Sequence, residues 1–332
     1  MVFTSLDLKV RRIFKDLRKR QRRDLKPIKL SLPSRKTFSL RNTNFYARSD
    51  FEGLDFKLDD VVIEESILTG ASQSIYKIVI NDKEYAFCIS LKPHKIYSAL
   101  GWVPDDTAQI EGIAPIYGLI TVKKKESEVY GGVICEFIGR GITLQDYILE
   151  NEIADDYLRV VMSATKRMLY AINGLRYAGM VHEDIKPANV LLTEDENPIA
   201  YLSDFDLMHN NRFGELRIGH FHGTFPFISL EKVLGGGDVD YRSDLFSWSV
   251  CLAKAVKTRY FLQIEGVFEL IEDIRNQKII PQKSRLSHLP GELIEPVHEL
   301  LRIGLSRNKD ERDIDHMVKI YHESDIKDYV YC

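Results

Sequence analysis

The sequence predicts an α+β chain in two lobes, a small β-rich one followed by a larger helical one. Three observations carry that expectation. From about Phe51, short runs rich in β-branched and aromatic residues follow one another with turn residues between them. One long helical periodicity then begins near Leu158, and from Asp240 to the C-terminus the apolar spacing stays helical.

Residues 1–50 read as a basic N-terminal arm. Residues 9 to 29 carry Lys9, Arg11, Arg12, Lys15, Arg18, Lys19, Arg20, Arg22, Arg23, Lys26 and Lys29 against Asp16 and Asp24. Ile13, Phe14, Leu17 and Leu25 give this run a face that would pack as a solvated helix. The string "RKRQRR" equally suits a polyanion such as an inositol phosphate, an anionic lipid or a nucleic acid, or a nuclear address. Both readings stand.

Residues 51–135 form the expected small lobe. "SILTGAS", "SIYKIVI" and "EYAFCIS" read as consecutive antiparallel strands, with Asn81 and Asp82 as turn residues, and "VYGGVICEF" as a further strand. Residues 136–332 form the larger lobe. Thr143 caps a short helix "LQDYILE". Leu158, Val161, Met162, Thr165, Met168, Leu169, Ile172 and Leu175 then recur at helical spacing, and Gly179 stands where that helix stops. Ser243 suits the N-cap of "DLFSWSVCLAKAV".

Composition narrows the class. A chain of 332 residues, 44% hydrophobic and 29% charged, has enough apolar material for a substantial core. A net charge of −3 and a pI near 6.3 exclude a global pull toward nucleic acid or membrane and leave only local patches. Cys88, Cys135, Cys251 and Cys332 form no C-x-x-C pair, which argues against a disulfide framework or zinc site and for a reducing compartment. No run has the length of a spanning helix, and "MVFTSLDLKVRRIF" lacks the features of a secretory leader. The expected location is cytoplasmic, or a host cytoplasm or nucleus if the chain is an exported effector.

The chemistry is concentrated in one string. His182-Glu183-Asp184-Ile185-Lys186-Pro187-Ala188-Asn189, followed by an apolar "VLL" and then Leu202-Ser203-Asp204-Phe205-Asp206, resembles the catalytic and magnesium loops of protein kinases. The resemblance implies a two-lobed protein-kinase-like fold that uses ATP and Mg2+ on a protein substrate. It makes Asp184 the catalytic carboxylate, Lys186 the cation at the transferred group, and Asn189 with Asp204 the metal ligands. Gly223-Thr224-Phe225-Pro226 ahead of Ser229-Leu230-Glu231 resembles the end of an activation segment. Asp244 resembles the buried start of a large-lobe helix, and Arg312 the arginine that pairs with the segment's closing glutamate, here Glu231.

The nucleotide side departs from the family. Leu68, Gly70 and Gln73 stand where a glycine-rich loop carries three glycines, so one glycine remains to cradle phosphate. Cys88 occupies the position of the third-strand lysine, as in the with-no-lysine kinases, whose donor position here reads Gln73. Either Lys77, on the same strand face, or Lys92, just past Cys88, is the candidate substitute cation, and Glu136 completes the expected nucleotide-binding set. The partner glutamate of that lysine has no clear counterpart, because Pro104 interrupts a region offering Asp105, Asp106 and Glu111. Asp206 replaces a glycine, which removes flexibility from the turn and adds a carboxylate near the metal. Glu183 replaces the arginine that in the family pairs with a phosphorylated activation loop, so control by loop phosphorylation is not expected. His209, His220 and His222 match no metal spacing.

Three functions compete. An atypical serine/threonine-type protein kinase follows from the joint presence of Asp184, Lys186, Asn189 and Asp204. A pseudokinase that binds or scaffolds follows from the lost glycines and Cys88. A small-molecule kinase would need a substrate pocket that the sequence does not display.

Overall fold

In the computed structural model, the described residues are 36–37, 43–47, 62–69, 73–80, 83–90, 110–124, 127–139, 142–151, 156–205, 207–210, 223–234, 239–258, 267–276 and 278–331. The basic run 9–29, Gly70, Lys92, Pro104, Asp105, Asp106, Asp206, His220 and His222 lie outside them. The chain divides into two units, one of residues up to 108 with 114–138, the other of residues 109–113 with 139–332.

Period-two patterning builds the first unit. Strands β1 (Lys36–Thr37), β2 (Thr43–Ala47), β3 (Val62–Thr69), β4 (Gln73–Ile80), β5 (Lys83–Ser90), β6 (Ile116–Lys124) and β7 (Ser127–Glu136) form one sheet. Their order is β1-β3-β4-β5-β7-β6-β2, and every pairing is antiparallel. Tyr76, Ile78, Tyr85 and Ile134 share one face and are almost completely buried. Burial of side chains this large contributes about 1.5–3 kcal/mol each. The sheet also reaches into the stretch read from sequence as an arm, since β2 pairs along β6 from Thr43 to Ala47. The alternation in β2 is too short and too polar to announce itself.

Helices dominate the second unit: α1 (Leu144–Glu150), α2 (Tyr157–Ala178), α3 (Leu230–Leu234), α4 (Tyr241–Ala255), α5 (Val267–Arg275), α6 (Gly291–Gly304) and α7 (Ile314–Glu323). As expected, Thr143 caps α1, in a reciprocal capping box with Asp146. Gly179 ends α2 in the left-handed region, φ 74°, where a Cβ is disfavoured. The start of α4 differs from expectation. Asp240 caps it by accepting from the Arg242 N–H, three residues before Ser243, whose hydroxyl instead donates to Glu231. Both residue types cap well, and the demand of Glu231 decides between them.

The core of this unit sits where α2, α4 and α7 meet. Trp248 Nε1 donates to the Thr165 carbonyl at 2.8 Å, and the Thr165 hydroxyl lies 2.8 Å from Tyr321 Oη. Gly304 lets α6 lie against α4, because a Cβ there would meet Ser249 Oγ at 1.7 Å. Among the described residues no helix is long and apolar enough to cross a membrane.

Candidate active site

A hairpin positions the chemistry. Strand β8 (Ile142–Thr143) precedes α1; strand β9 (Met180–Val181) leads into residues 182–186, a single 3-10 turn Pro187–Asn189 follows, and β10 (Val190–Leu192) pairs antiparallel with β8 and with β11 (Ala200–Leu202), Val190 opposite Leu202. The residue before β10, Asn189, and the residue after β11, Ser203, are thereby brought side by side. Ser203 donates its N–H and its Oγ to the Asn189 carbonyl, at 2.9 and 3.0 Å. Asp204, next in the chain, has φ 63°.

Asp184 is the hub. Its Oδ2 accepts from Lys186 Nζ at 2.6 Å and from Asn189 Nδ2 at 3.1 Å, and its Oδ1 accepts from Thr224 Oγ1 at 3.0 Å. Lys186 Nζ also donates to Thr224 Oγ1 at 3.0 Å, and Asn189 Nδ2 to the Asp184 carbonyl at 2.8 Å. Burial pushes the Asp184 carboxyl up, but the hydrogen bond and charge of Lys186, with the Thr224 hydroxyl, outweigh it and hold the group below its ordinary value. The carboxylate is therefore ionised and fixed in direction. Thr224 was read from sequence as part of an activation-segment end, and its contact with Asp184 and Lys186 was missed. Its position in the string Gly223-Thr224-Phe225-Pro226 was the available signal.

His182 orients the loop from behind. It is fully buried, and its Nε2 lies 3.1 Å from the Ser203 carbonyl while the Asp184 N–H reaches its Nδ1 at 3.3 Å. A carbonyl only accepts, so the proton sits on Nε2 and Nδ1 accepts, a neutral ring. Burial drives its pKa down to about 4, in keeping with that tautomer. Asp244, at the start of α4, accepts from the His182 N–H at 2.7 Å and the Glu183 N–H at 2.9 Å. Burial raises its pKa to about 6, against the pull of Lys232. Glu231 and Arg312 meet as expected, at 2.6 and 3.3 Å, with Arg312 buried beneath the segment's end.

The donor set fits magnesium. Asn189 spends its Nδ2 donors on Asp184, which leaves its Oδ1 as the acceptor able to ligate, and Asp204 stands next to the Ser203 link. Among the described residues no group of three or more His, Cys, Asp or Glu forms a metal cage. An incomplete oxygen set of one amide and one carboxylate suits an ion that completes its shell with water and substrate phosphates.

The described residues of the expected nucleotide set lie on β4, β5 and β7 of the first unit. Register places Cys88 opposite Ile75 and Lys77 opposite Ala86, so Lys77 shares the face of Cys88 two register pairs further from the β3–β4 turn. Lys77 Nζ lies 2.5 Å from Glu84 Oε1 and 5.2 Å from the centre of the Phe137 ring. Gln73 is the first residue of β4, in register with Ser90 of β5. Glu136 faces the other way, opposite Tyr85, where it accepts from Tyr117 Oη and lies 3.7 Å from Lys83 Nζ.

Comparison with known proteins agrees with this geometry. Residues 108–319 match the protein kinase domain family, about two thirds of the chain, and the chain belongs to that family. A probable serine/threonine-protein kinase of Dictyostelium discoideum is 24% identical over 58% of this chain and 13% of its own. Serine/threonine-protein kinase PknD of Mycobacterium tuberculosis is 25% identical over 46% of this chain and 22% of its own. A probable L-type lectin-domain containing receptor kinase of Arabidopsis thaliana is 26% identical over 73% of this chain and 36% of its own. The chain thus spans little more than a third, at most, of the length of these relatives.

Proposed function

We propose that this chain is an active, atypical protein kinase that transfers the γ-phosphoryl group of ATP to a serine or threonine hydroxyl of a protein. The observation that carries the reading is the fixed Asp184 carboxylate, held by Lys186, Asn189 and Thr224. The acceptor hydroxyl is oriented by Asp184 and attacks the γ-phosphorus; the new O–P bond forms as the bond to the β,γ-bridging oxygen breaks and ADP leaves. The hydroxyl proton passes to Asp184 and then to water. Lys186 lies against the same carboxylate, where its charge offsets that developing on the transferred group. Asn189 and Asp204 would hold magnesium, which when bound neutralises phosphate charge. The choice of serine or threonine rests on Lys186 two residues after Asp184, on its bond to Thr224, and on the serine/threonine kinases among the relatives.

The test is magnesium-dependent transfer from labelled ATP to dephosphorylated casein by wild type and by Asp184→Asn. Transfer by wild type and its loss in the variant support the reading; equal signals from both sink it.

One observation favours a second reading, a pseudokinase that binds or scaffolds. Cys88 takes the lysine position, and Lys77 is engaged by Glu84 and set further from the β3–β4 turn than Cys88 is. Measured binding of magnesium-ATP separates the two, since a scaffold of that kind needs none. On charge alone we assign the run 9–29 affinity for a polyanion, falling steeply with salt and lost when Arg18, Lys19, Arg20, Arg22 and Arg23 become serine. No binding to anionic vesicles, inositol hexakisphosphate or RNA at low salt would remove that assignment.

A further inference from the structure

We propose that Lys232 is a positioning residue of the catalytic loop, an internal cation that fixes Glu183, and through it Asp184, without any phosphate. The proposal rests on the kinase reading above and names what prepares that site.

Glu183 immediately precedes Asp184, so its backbone sets the direction in which the catalytic carboxylate leaves the chain. That backbone is strained: φ is 69°, a region that costs a residue with a Cβ roughly 1–2 kcal/mol. Both main-chain polar groups of the residue are held by other elements. Its N–H donates to Asp244 Oδ1 at 2.9 Å, from the first turn of α4. Its carbonyl accepts from Lys232 Nζ at 2.7 Å, from α3. Its carboxylate lies 3.9 Å from the same ammonium, with the two side chains 4% and 6% exposed. Lys232 therefore grips residue 183 at both its main chain and its side chain.

The stretch 223–234 consequently reaches the catalytic loop at two points. Thr224 touches Asp184 and Lys186, and Lys232 touches Glu183. Buried charge persists only when it is paired, and Glu183 and Asp244 together place two carboxyls around this one ammonium. Lys232 thus supplies the cation that pairs with Glu183, and an added phosphate beside Glu183 would meet like charge. Nothing in the sequence reading singled out Lys232. Its position immediately after Glu231 gave no hint that it turns inward.

The experiment uses the full chain after phosphatase treatment, with steady-state kinetics in magnesium-ATP and casein for wild type, Lys232→Met, Lys232→Arg, Glu183→Gln and the Lys232→Met/Glu183→Gln double variant. Lys232→Met is expected to lower kcat roughly 10- to 100-fold, the size of effect that misplacement of a reacting group produces, with the KM for ATP moving less than about twofold. Lys232→Arg keeps the charge and donors and is expected to recover most of the rate. The double variant is expected to be no worse than Lys232→Met, because the two residues act as one unit. Wild-type kcat in Lys232→Met, strictly additive losses, or a wild type that needs a phosphate on the segment 211–222 each overturn the proposal. Should Lys232→Met not fold, Glu183→Gln decides: reduced kcat at unchanged KM supports the proposal, and full rate overturns it. A wild type with no transfer at all fails the kinase reading itself, a result distinct from an active wild type indifferent to Lys232.

Discussion

Thr224 Oγ1 donates to Asp184 Oδ1 at 3.0 Å while accepting from Lys186 Nζ at the same distance, so one hydroxyl joins the Asp184 carboxylate to its neighbouring cation across 40 residues of sequence. The hydroxyl acts as donor to the anion and acceptor from the cation at once, which only Ser or Thr at this position does without a water. This contact ties a loop fixed by the β10–β11 hairpin to a segment whose own course depends on α3 and α4.

The relationship makes Thr224 testable apart from Asp184. Thr224→Val keeps the volume and removes the hydroxyl, leaving Asp184 and Lys186 each short of one partner. The expected result is a kcat reduced about 10-fold or more with little change in the KM for ATP, and Thr224→Ser close to wild type. A Thr224→Val enzyme at full rate would assign the contact to packing alone.

Binding and turnover are expected to separate between two carboxylates. Asp204→Ala removes the carboxylate proposed to hold magnesium and should weaken magnesium-ATP binding, read by calorimetry with and without metal. Asp184→Asn should leave that binding nearly intact and lower kcat by about two to four orders of magnitude, the range contributed by groups that orient or accept a proton. If both variants lose binding equally, the division of labour between them is wrong.

The string from His182 to Asn189 was legible because its residues are close in sequence and their spacing fixes their chemistry. The closing pair Glu231 and Arg312 was legible for a different reason: each stands at a recognisable place in an ordered series, although they are 81 residues apart. The contact of Lys232 with Glu183 was not, because a lysine directly after Glu231 reads as exposed and only the turn of α3 buries it. Lys77 lies on the expected face, but its partnership with Glu84 is a diagonal cross-strand contact that appears once the β4–β5 register is known.

Arg312 should be structural. Its side chain is fully buried, pairs with Glu231, donates to the Ser306 and Arg242 carbonyls, and stacks 5.2 Å from the Phe246 ring centre. Removing one partner of such a pair costs about 3–5 kcal/mol, because the other charge stays buried. Arg312→Leu is expected to lower stability by that amount in urea unfolding. A loss under about 1 kcal/mol would mean that Glu231 finds solvent or another partner.

The last prediction is a pH dependence set by His182 and Asp244, which titrate in opposite senses through one window. Burial lowers the His182 pKa from 6.5 to about 4, so between those values the unfolded chain binds a proton that the folded chain refuses. Stability from this group is therefore lost as pH falls, by about 3 kcal/mol in total. Burial raises Asp244 from 3.8 to about 6, so over that range the folded chain holds a proton that the unfolded chain has released. Stability from this group rises as pH falls, again by about 3 kcal/mol. The two effects offset each other between about pH 6 and pH 4, leaving a shallow profile for this part of the molecule. Asp244→Asn removes only the compensating half. The variant should be less stable throughout, since a neutral amide accepts less strongly from the His182 and Glu183 N–H groups, and its stability should also fall more steeply than wild type below pH 6. Urea unfolding at pH 6.5, 5 and 4 measures the two slopes; parallel profiles would show that Asp244 does not take up its proton in this range.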